Sequence, residues 1–353
     1  MAILTKEEQE QNLARSGVRM AQKVDVSLDE ITEFGNPESM IKIVQSVASY
    51  KKMVSEQITL INDSLSAAIP FTRENLYLFC ALSGNGKSTV AANISWPLWK
   101  QKKKILVVSN EEPEQDVLFR IAALELEADF NEYKKGRMAP ETISKCVHLC
   151  RDIAQYVKVL DVSWRDGGST KIEWVQAALD KIIGQGFSAV LIDYYQLIKD
   201  SVNDKTRSRY DVLNDFRIWL GRYIKKCEIP VCMFVQLYSL GKKGGVKDID
   251  ARIKECSAVV EPATVIIEIV PNVEEKTSDF LIHKDRFGNQ GWKITCPYYK
   301  GRFLEELSDQ ELATRRTGMA RAKAEKDLED FMDKAKENDE QFSGADYISG
   351  QKI

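Results

Sequence analysis

The segment at residues 81–88, Ala-Leu-Ser-Gly-Asn-Gly-Lys-Ser, directly follows the apolar run Leu76–Cys80. A strand that turns through glycines into a helix presents backbone N–H groups, and the helix N-terminus adds partial positive charge, so both favour nucleotide phosphates. In such a loop Lys87 reaches the β- and γ-phosphates and the Ser88 hydroxyl binds Mg²⁺. The sequence therefore predicts an ATP-binding loop, in which Ala81 replaces the usual first glycine. Its assigned residues are Ser83, Gly84, Asn85, Gly86, Lys87, Ser88 and Thr89.

Three further polar side chains stand at the ends of apolar runs that have the length of strands. They are Glu111, Asp193 and Gln236. Ligands of an open parallel sheet lie beyond the carboxyl ends of its strands, so these residues belong at one edge. There Asp193 suits the Mg²⁺ shell, Glu111 suits the base that activates the attacking water, and Gln236 suits a sensor of the γ-phosphate.

Each of these assignments has a plainer alternative. An acid that closes a strand is often a helix cap, so Asp193 by itself is as easily structural. Glu112 competes with Glu111 for the role of base, and only the strand register decides between them. Gln236 alone is more easily structural than functional. The three together, at successive strand ends of a chain with a phosphate-binding loop, favour function.

The elements that would position these residues alternate between strand and helix from Leu76 onward. Apolar runs of strand length are Leu76–Cys80, Ile105–Val108, Val157–Leu160, Ala189–Ile192, Val231–Val235 and Val265–Val270. The clearest helical segments between them are Thr170–Ile183 and Tyr210–Lys226. Short apolar strands separated by helices predict an α/β fold with a mainly parallel sheet covered on both faces. Three later segments predict antiparallel edge strands: Phe280–Lys284, Lys293–Cys296 and Arg302–Leu304.

Composition limits the classes of protein that this chain can be. A hydrophobic fraction of 44% supports a core, and a net charge of −3 means that nucleic-acid binding must come from local basic loops. Seven cysteines without framework spacing predict a reducing compartment. We expect a cytoplasmic protein without a signal peptide or membrane span. Cys146-Val-His-Leu-Cys150 could suggest a metal, but one helix face that buries both cysteines is the better interpretation.

The chain is predicted to have four parts. Residues 1–35 form a polar arm, and residues 36–54 form a linker helix that packs on its own domain or docks on a neighbouring subunit. Residues 55–307 form the nucleotide-binding core. Residues 308–353 form a charged C-terminal helix, opened by a capping box at Ser308, and a disordered tail.

The chain resembles the motor of DnaB-type (superfamily 4) replicative helicases, which has the RecA fold. The similar phrases are Ser83–Ser88, Ser109–Pro113, Leu191–Leu197, Val235–Leu237 and Lys284–Arg286. The resemblance covers roughly residues 55–307 and implies a RecA-like P-loop core. In that family the glutamate of the Ser-x-Glu-x-Pro phrase activates the water, which favours Glu111 over Glu112 by position.

The resemblance also implies an ATP site that is completed between subunits. In the family a Lys-x-Arg pair on a late hairpin reaches into the next subunit's site, and Lys284 and Arg286 match it. An arginine supplied in trans is worth about 10³–10⁵ in rate in other NTPases. The pair therefore implies a homo-oligomer, as a hexameric ring. Without the resemblance, both cations would be interpreted as charges that protect an edge strand.

Single-stranded DNA is the polymer that the resemblance implies, and two basic segments near the ATP site are the candidate contacts. Lysine and arginine bind phosphates without base preference, although basic loops are usually just solvated. The candidate DNA-binding residues are Lys199, Lys205, Arg207, Arg209, Lys242, Lys243, Lys247 and Arg252.

The implied function is a ring helicase that uses ATP and Mg²⁺ to translocate 5′ to 3′ on single-stranded DNA and unwind duplex. Two alternatives share most of these residues: a RecA- or KaiC-like DNA-dependent ATPase without unwinding, and a non-catalytic ATP-binding assembly or loading factor. The first 70 residues are too short for the family's helical N-terminal domain, so the chain resembles compact phage- or plasmid-encoded versions. A primase, loader or polymerase is an expected partner.

Overall fold

A computed structural model describes residues 41, 45, 59–162, 170–199, 208–238, 248–253, 255, 257–308 and 310–314. The chain divides into two units, Met1–Ser55 and Glu56–Ile353, and the sheet with its helices belongs to the second unit. The predicted arm, most of the linker helix and most of the C-terminal part lie outside the described residues.

From Leu76 to Arg252 strands and helical segments largely alternate, as the sequence predicts, and the strands from Val265 onward follow one another directly. The helices are α1 (Asp63–Ala68), α2 (Lys87–Lys100), α3 (Glu114–Glu125), α4 (Phe130–Lys134), α5 (Pro140–Tyr156), α6 (Ile172–Ile182), α7 (Arg209–Cys227) and α8 (Ile249–Arg252). The strands are β1 (Leu76–Ala81), β2 (Lys104–Ser109), β3 (Val157–Asp161), β4 (Thr170–Lys171), β5 (Phe187–Asp193), β6 (Ile198–Lys199), β7 (Val231–Gln236), β8 (Val265–Asn272), β9 (Thr277–Asp285), β10 (Lys293–Tyr299) and β11 (Arg302–Phe303). Short 3₁₀ turns cover Tyr195–Leu197 and Ser257–Val260.

Nine strands form one sheet in the order β11-β10-β9-β8-β1-β7-β5-β2-β3. The strands from β8 to β3 in this order pair in parallel, and β8 to β11 pair antiparallel, as the sequence predicts. Strand β11 is the outermost of the late strands. The small parallel pair β4–β6 was not predicted, because two-residue strands leave no periodic signal.

Strand β1 is buried on both faces because its side chains alternate between two hydrophobic cores. Tyr77 and Phe79 join the core that also contains side chains of α2, α3 and α5. Leu78 and Cys80 join the core on the other face, which contains side chains of α6 and α7. Helices therefore cover both faces of the sheet, and the carboxyl ends of its parallel strands lie along one edge.

Helix ends follow their sequence signals. Helix α7 starts behind Ser208, whose hydroxyl accepts from the Asp211 N–H while the Asp211 carboxylate accepts from the Ser208 N–H. The predicted box at Ser308 is also present, since the Ser308 N–H donates to the Glu311 carboxylate over 2.9 Å. Cys146 is buried on α5 and Cys150 is half-buried beside it. Among the described residues, no helix is long and apolar enough to cross a membrane.

Candidate nucleotide-binding site

The turn between β1 and α2 has the backbone geometry of a phosphate-binding loop. Gly84 and Gly86 have φ angles of 78° and 86°, in the left-handed region that a side chain rarely adopts. The Asn85 N–H closes the turn on the Leu82 carbonyl over 3.2 Å, and α2 begins at Lys87. The loop therefore presents the N-terminus of a long helix to the open edge of the sheet.

A cleft of about 290 Å³ opens at this edge. The sheet register explains the convergence, because Ala81 of β1 pairs with Gln236 of β7, and Ser109 of β2 pairs with Asp193 of β5. The predicted residues that line the cleft are Ser83, Gly84, Gly86, Lys87, Ser88, Thr89, Glu111 and Gln236. Arg120 and Tyr194 also line it, and the sequence did not indicate them.

Asp193 lies at the base of the site, where it lines an adjoining small cavity with Ser88. The Ser88 hydroxyl interacts with the Asp193 side chain and lowers its pKa, whereas the carboxylate oxygen Oδ1 is buried without a hydrogen-bond partner. Burial raises the pKa of Asp193 to about 6, against the Ser88 hydrogen bond and the Lys87 charge, with Glu112 and Glu111 also raising it.

This donor set fits Mg²⁺. A hydroxyl and a carboxylate with an unpartnered oxygen are hard oxygen ligands, and a magnesium ion takes its remaining ligands from phosphate and water. No cluster of three histidine, cysteine or acidic side chains able to hold a metal occurs in the described part of the chain. Ser88 and Asp193 are therefore the residues that could bind a magnesium ion.

Lys87 is buried although it carries a charge. Its ammonium lies 5.3 Å from the centre of the Tyr194 ring and 3.5 Å from the Leu82 carbonyl oxygen. Asn110 holds the Tyr194 segment in place, because its side-chain amide donates to the Tyr194 carbonyl over 2.9 Å and its N–H donates to the Asp193 carbonyl over 2.8 Å. A cation and an aromatic ring thus face the space beside the phosphate loop.

The two neighbouring glutamates have different surroundings. Glu112 forms an ion pair with Arg120, whose guanidinium carbon lies 4.0 Å from the centre of the Phe130 ring. Both glutamates line the cleft, and Glu111 is the exposed one of the two. Arg120 could have been noticed in the sequence as a charge within the apolar stretch of α3, but its partner could not.

Comparison with known proteins identifies the family of the domain that contains this cleft. Residues 62–302 match the family model of the DnaB-like helicase C-terminal domain. The chain belongs to this family.

Solved structures agree in fold with this DnaB-like helicase domain. One, described as the ATPase domain of its protein, aligns over 80% of this chain and 100% of its own, with a TM-score of 0.61 and 15% identity. A DnaB-like replicative helicase, described with its interactions with primase, aligns over 86% of this chain and 72% of its own, with a TM-score of 0.62 and 15% identity. No protein of curated function matches the sequence.

Lys284 and Arg286 of the DnaB-like domain lie outside its own cleft. The Lys284 ammonium donates to the Val260 carbonyl over 2.8 Å and to the Glu261 carbonyl over 3.3 Å, and the Arg286 guanidinium donates to the same Glu261 carbonyl over 3.0 Å. Burial and the neighbouring Arg286 lower the pKa of Lys284. The Glu261 carbonyl, directly after the short turn Ser257–Val260, therefore holds both cations side by side.

The candidate DNA-binding residues other than Arg252 divide into three groups. Lys199 is exposed at the end of β6. Arg209 donates to the Gln196 and Ile198 carbonyls and pairs with Glu255 over 2.8 Å. Five others lie outside the described residues: Lys205, Arg207, Lys242, Lys243 and Lys247.

Arg252 has a buried partner, which the sequence did not reveal. Its guanidinium grips Glu268 of β8 with two hydrogen bonds of 2.6 and 2.8 Å, and His283 lies 2.9 Å from the same carboxylate. Burial raises the pKa of Glu268, but the hydrogen bonds from His283 and Arg252 outweigh it, and the pKa falls below its ordinary value. Arg252 thus anchors α8 to the sheet.

Proposed function

We propose that the chain is the motor of a homohexameric ring helicase that hydrolyses ATP, translocates 5′ to 3′ on single-stranded DNA and unwinds duplex. The observation that supports this most is the split of charged groups between two places. The phosphate loop, Glu111 and Gln236 meet in one cleft, whereas Lys284 and Arg286 are held outside it. A site divided in this way needs a second subunit to be complete.

Within one subunit, the proposed roles follow from position. Ser88 and Asp193 would hold Mg²⁺, which neutralises phosphate charge when bound. Lys87 would bind the β- and γ-phosphates. Glu111 would accept a proton from the attacking water, since Glu112 is already paired with Arg120. The Gln236 amide would hydrogen-bond the γ-phosphate and lose that partner after hydrolysis.

Between subunits, we assign Lys284 and Arg286 to the neighbouring ATP site. Their shared acceptor, the Glu261 carbonyl, fixes both cations before any phosphate arrives. Preorganised charge of this kind stabilises the transition state of phosphoryl transfer without the cost of ordering side chains during the reaction. Two long cationic side chains held together are therefore suited to a finger supplied in trans.

The DNA contacts that we propose lie on Lys199 and on the segments that contain the five undescribed cations. Arg252 is left out of this surface, because its guanidinium is committed to Glu268. One solved relative is described with its interactions with primase, and we propose primase as the first partner to test by co-purification.

The decisive experiment is ATP-driven strand separation on two partial duplexes, one with a 5′ tail and one with a 3′ tail. Arg286→Ala is compared with Lys293→Ala, a control on β10 whose lysine pairs with Asp279 at the surface. We expect unwinding of the 5′-tailed substrate only, lost in Arg286→Ala and kept in Lys293→Ala.

The alternatives give different results in the same assay. DNA-stimulated ATPase without unwinding of either substrate would favour the RecA- or KaiC-like ATPase. ATP binding without turnover, in the wild type as in Glu111→Gln, would favour the assembly or loading factor. Normal unwinding by Arg286→Ala would contradict a finger supplied in trans.

A further inference from the structure

Gln196 holds the main chain of Gln236 with its side-chain amide. The Gln196 NH₂ group donates to the Gln236 carbonyl over 3.0 Å, and the Gln236 N–H donates to the Gln196 side-chain oxygen over 3.0 Å. Gln196 is buried, in the 3₁₀ turn that follows β5. One planar carboxamide therefore satisfies both backbone groups of a residue that is 40 positions away.

These two hydrogen bonds take the place of a strand partner that the end of β7 lacks. Strands β5 and β7 pair only as far as Ile192 and Met233, because the chain leaves the sheet after Asp193. On its other side Gln236 is in register with Ala81 of β1. Without Gln196, the end of β7 would have an open edge beside the cleft, and a buried backbone group without a partner is costly.

The turn that carries Gln196 is itself anchored next to Lys199 and Arg209, two of the candidate DNA-binding residues. Arg209, the first residue of α7, donates to the Gln196 carbonyl, and the Tyr195 hydroxyl donates to the Leu213 carbonyl over 2.8 Å. Lys199 ends β6, the short strand that directly follows the turn.

On the far side of Gln236, the next two residues contact the end of α8. The Tyr238 N–H donates to the Arg252 carbonyl over 2.7 Å, and Leu237 bridges to Ile253. Gln236 is therefore held on one side by Gln196, and the two residues that follow it contact the end of α8. A shift of the turn or of α8 reaches Gln236 through a short series of hydrogen bonds.

We infer that Gln196 is a positioning residue that couples DNA binding beside its turn, at Lys199, to the placement of Gln236 in the ATP cleft. The inference rests on the proposed function, since it assumes that DNA stimulates the ATPase. It assigns Gln196 no contact with nucleotide: the residue acts through the two hydrogen bonds to the Gln236 backbone. Loss of those bonds should uncouple the two activities rather than abolish them.

The test measures ATPase rates with and without single-stranded DNA for Gln196→Leu, which loses both hydrogen bonds, and Gln196→Glu, which keeps one acceptor and the side-chain length. Gln101→Leu, at the exposed end of α2, is the matched control. We expect Gln196→Leu to reduce the DNA-stimulated rate about tenfold, with the basal rate and the KM for ATP within about twofold of wild type. Gln196→Glu should fall between, and it covers the case in which the leucine variant does not fold.

Measurements in a Gln236→Ala background distinguish a structural role of Gln196 from a coupling role. On Gln236→Ala, Gln196→Leu should have no further effect on stimulation, because both act through the same group. Independent, multiplying effects would overturn the inference, and so would equal loss of basal and stimulated rates. Wild-type stimulation of both Gln196 variants would refute the inference and leave the proposed function standing. A wild type that DNA does not stimulate would refute both.

Discussion

The buried carboxylate of Asp193 should make the nucleotide-free protein less stable at neutral pH. Its pKa rises from the ordinary 3.8 to about 6, so the folded state binds the proton more tightly than the unfolded state does. A group with a raised folded pKa contributes stability that is present below its unfolded pKa and is lost as pH rises through its folded pKa. The full penalty above about pH 7 is about 3 kcal/mol, at 1.36 kcal/mol per pKa unit.

Asp193→Asn removes this penalty. Linkage with these two pKa values gives a loss of about 2 kcal/mol at about pH 5 and about 3 kcal/mol at about pH 7.5. The free energy of unfolding of the variant relative to the wild type should therefore rise by about 1 kcal/mol between these two pH values, whatever the amide itself costs in packing. Urea unfolding at both pH values, without nucleotide, measures the difference.

The same substitution should weaken the response to Mg²⁺ and nucleotide. A ligand at about 100 times its Kd stabilises the wild type by about 2.7 kcal/mol, and most of that gain should be absent in Asp193→Asn. Asp180→Asn, at an exposed position on α6, is the control and should match the wild type in both measurements. A variant whose stability relative to wild type does not change between the two pH values would refute the assignment of a buried, ionised carboxylate.

Three other changes test the remaining parts of the site. Glu111→Gln should reduce ATP turnover about 10²- to 10⁴-fold with nucleotide binding kept, while the same change at the next residue, already ion-paired, should cost less than about tenfold. Lys87→Ala and Arg286→Ala should each be inactive alone, but mixed subunits should regain ATPase, because one lends its finger to the intact site of the other; no recovery would contradict a shared site. Arg252→Met should lower the free energy of unfolding by about 3–5 kcal/mol in urea, since it leaves Glu268 charged and buried, and an unchanged stability would contradict the ion pair.

The sequence predicted what depends on local pattern. Continuous apolar runs located the principal strands, because a strand buried on both faces must be apolar throughout. The phosphate loop was predicted for a similar reason, since the left-handed turns at Gly84 and Gly86 require glycine. The family resemblance and the family match cover nearly the same part of the chain.

Partners that are distant in sequence could not be predicted. Arg252 and Arg209 look like solvated cations in the sequence, yet their partners are chosen by the packing of separate elements. The competition between Glu111 and Glu112 is of the same kind, because the partner of Glu112 lies two helical turns further along. Their functional roles stay predictions until these variants are measured.

The position of Lys284 in the sheet has a mechanical consequence. Leu78 of β1 pairs with Ile266 of β8, and Ile266 pairs with Lys284 of β9, so the phosphate-loop strand and the finger strand are about 10 Å apart, two strand spacings. Hydrogen-bonded strands move together. In a ring of such subunits, the sheet of each subunit would move as a rigid body that carries both its own ATP site and the cations for the next site. A rotation of one subunit that closes one interface would then also move the cations at the adjoining interface. The states of neighbouring ATP sites would therefore be mechanically coupled.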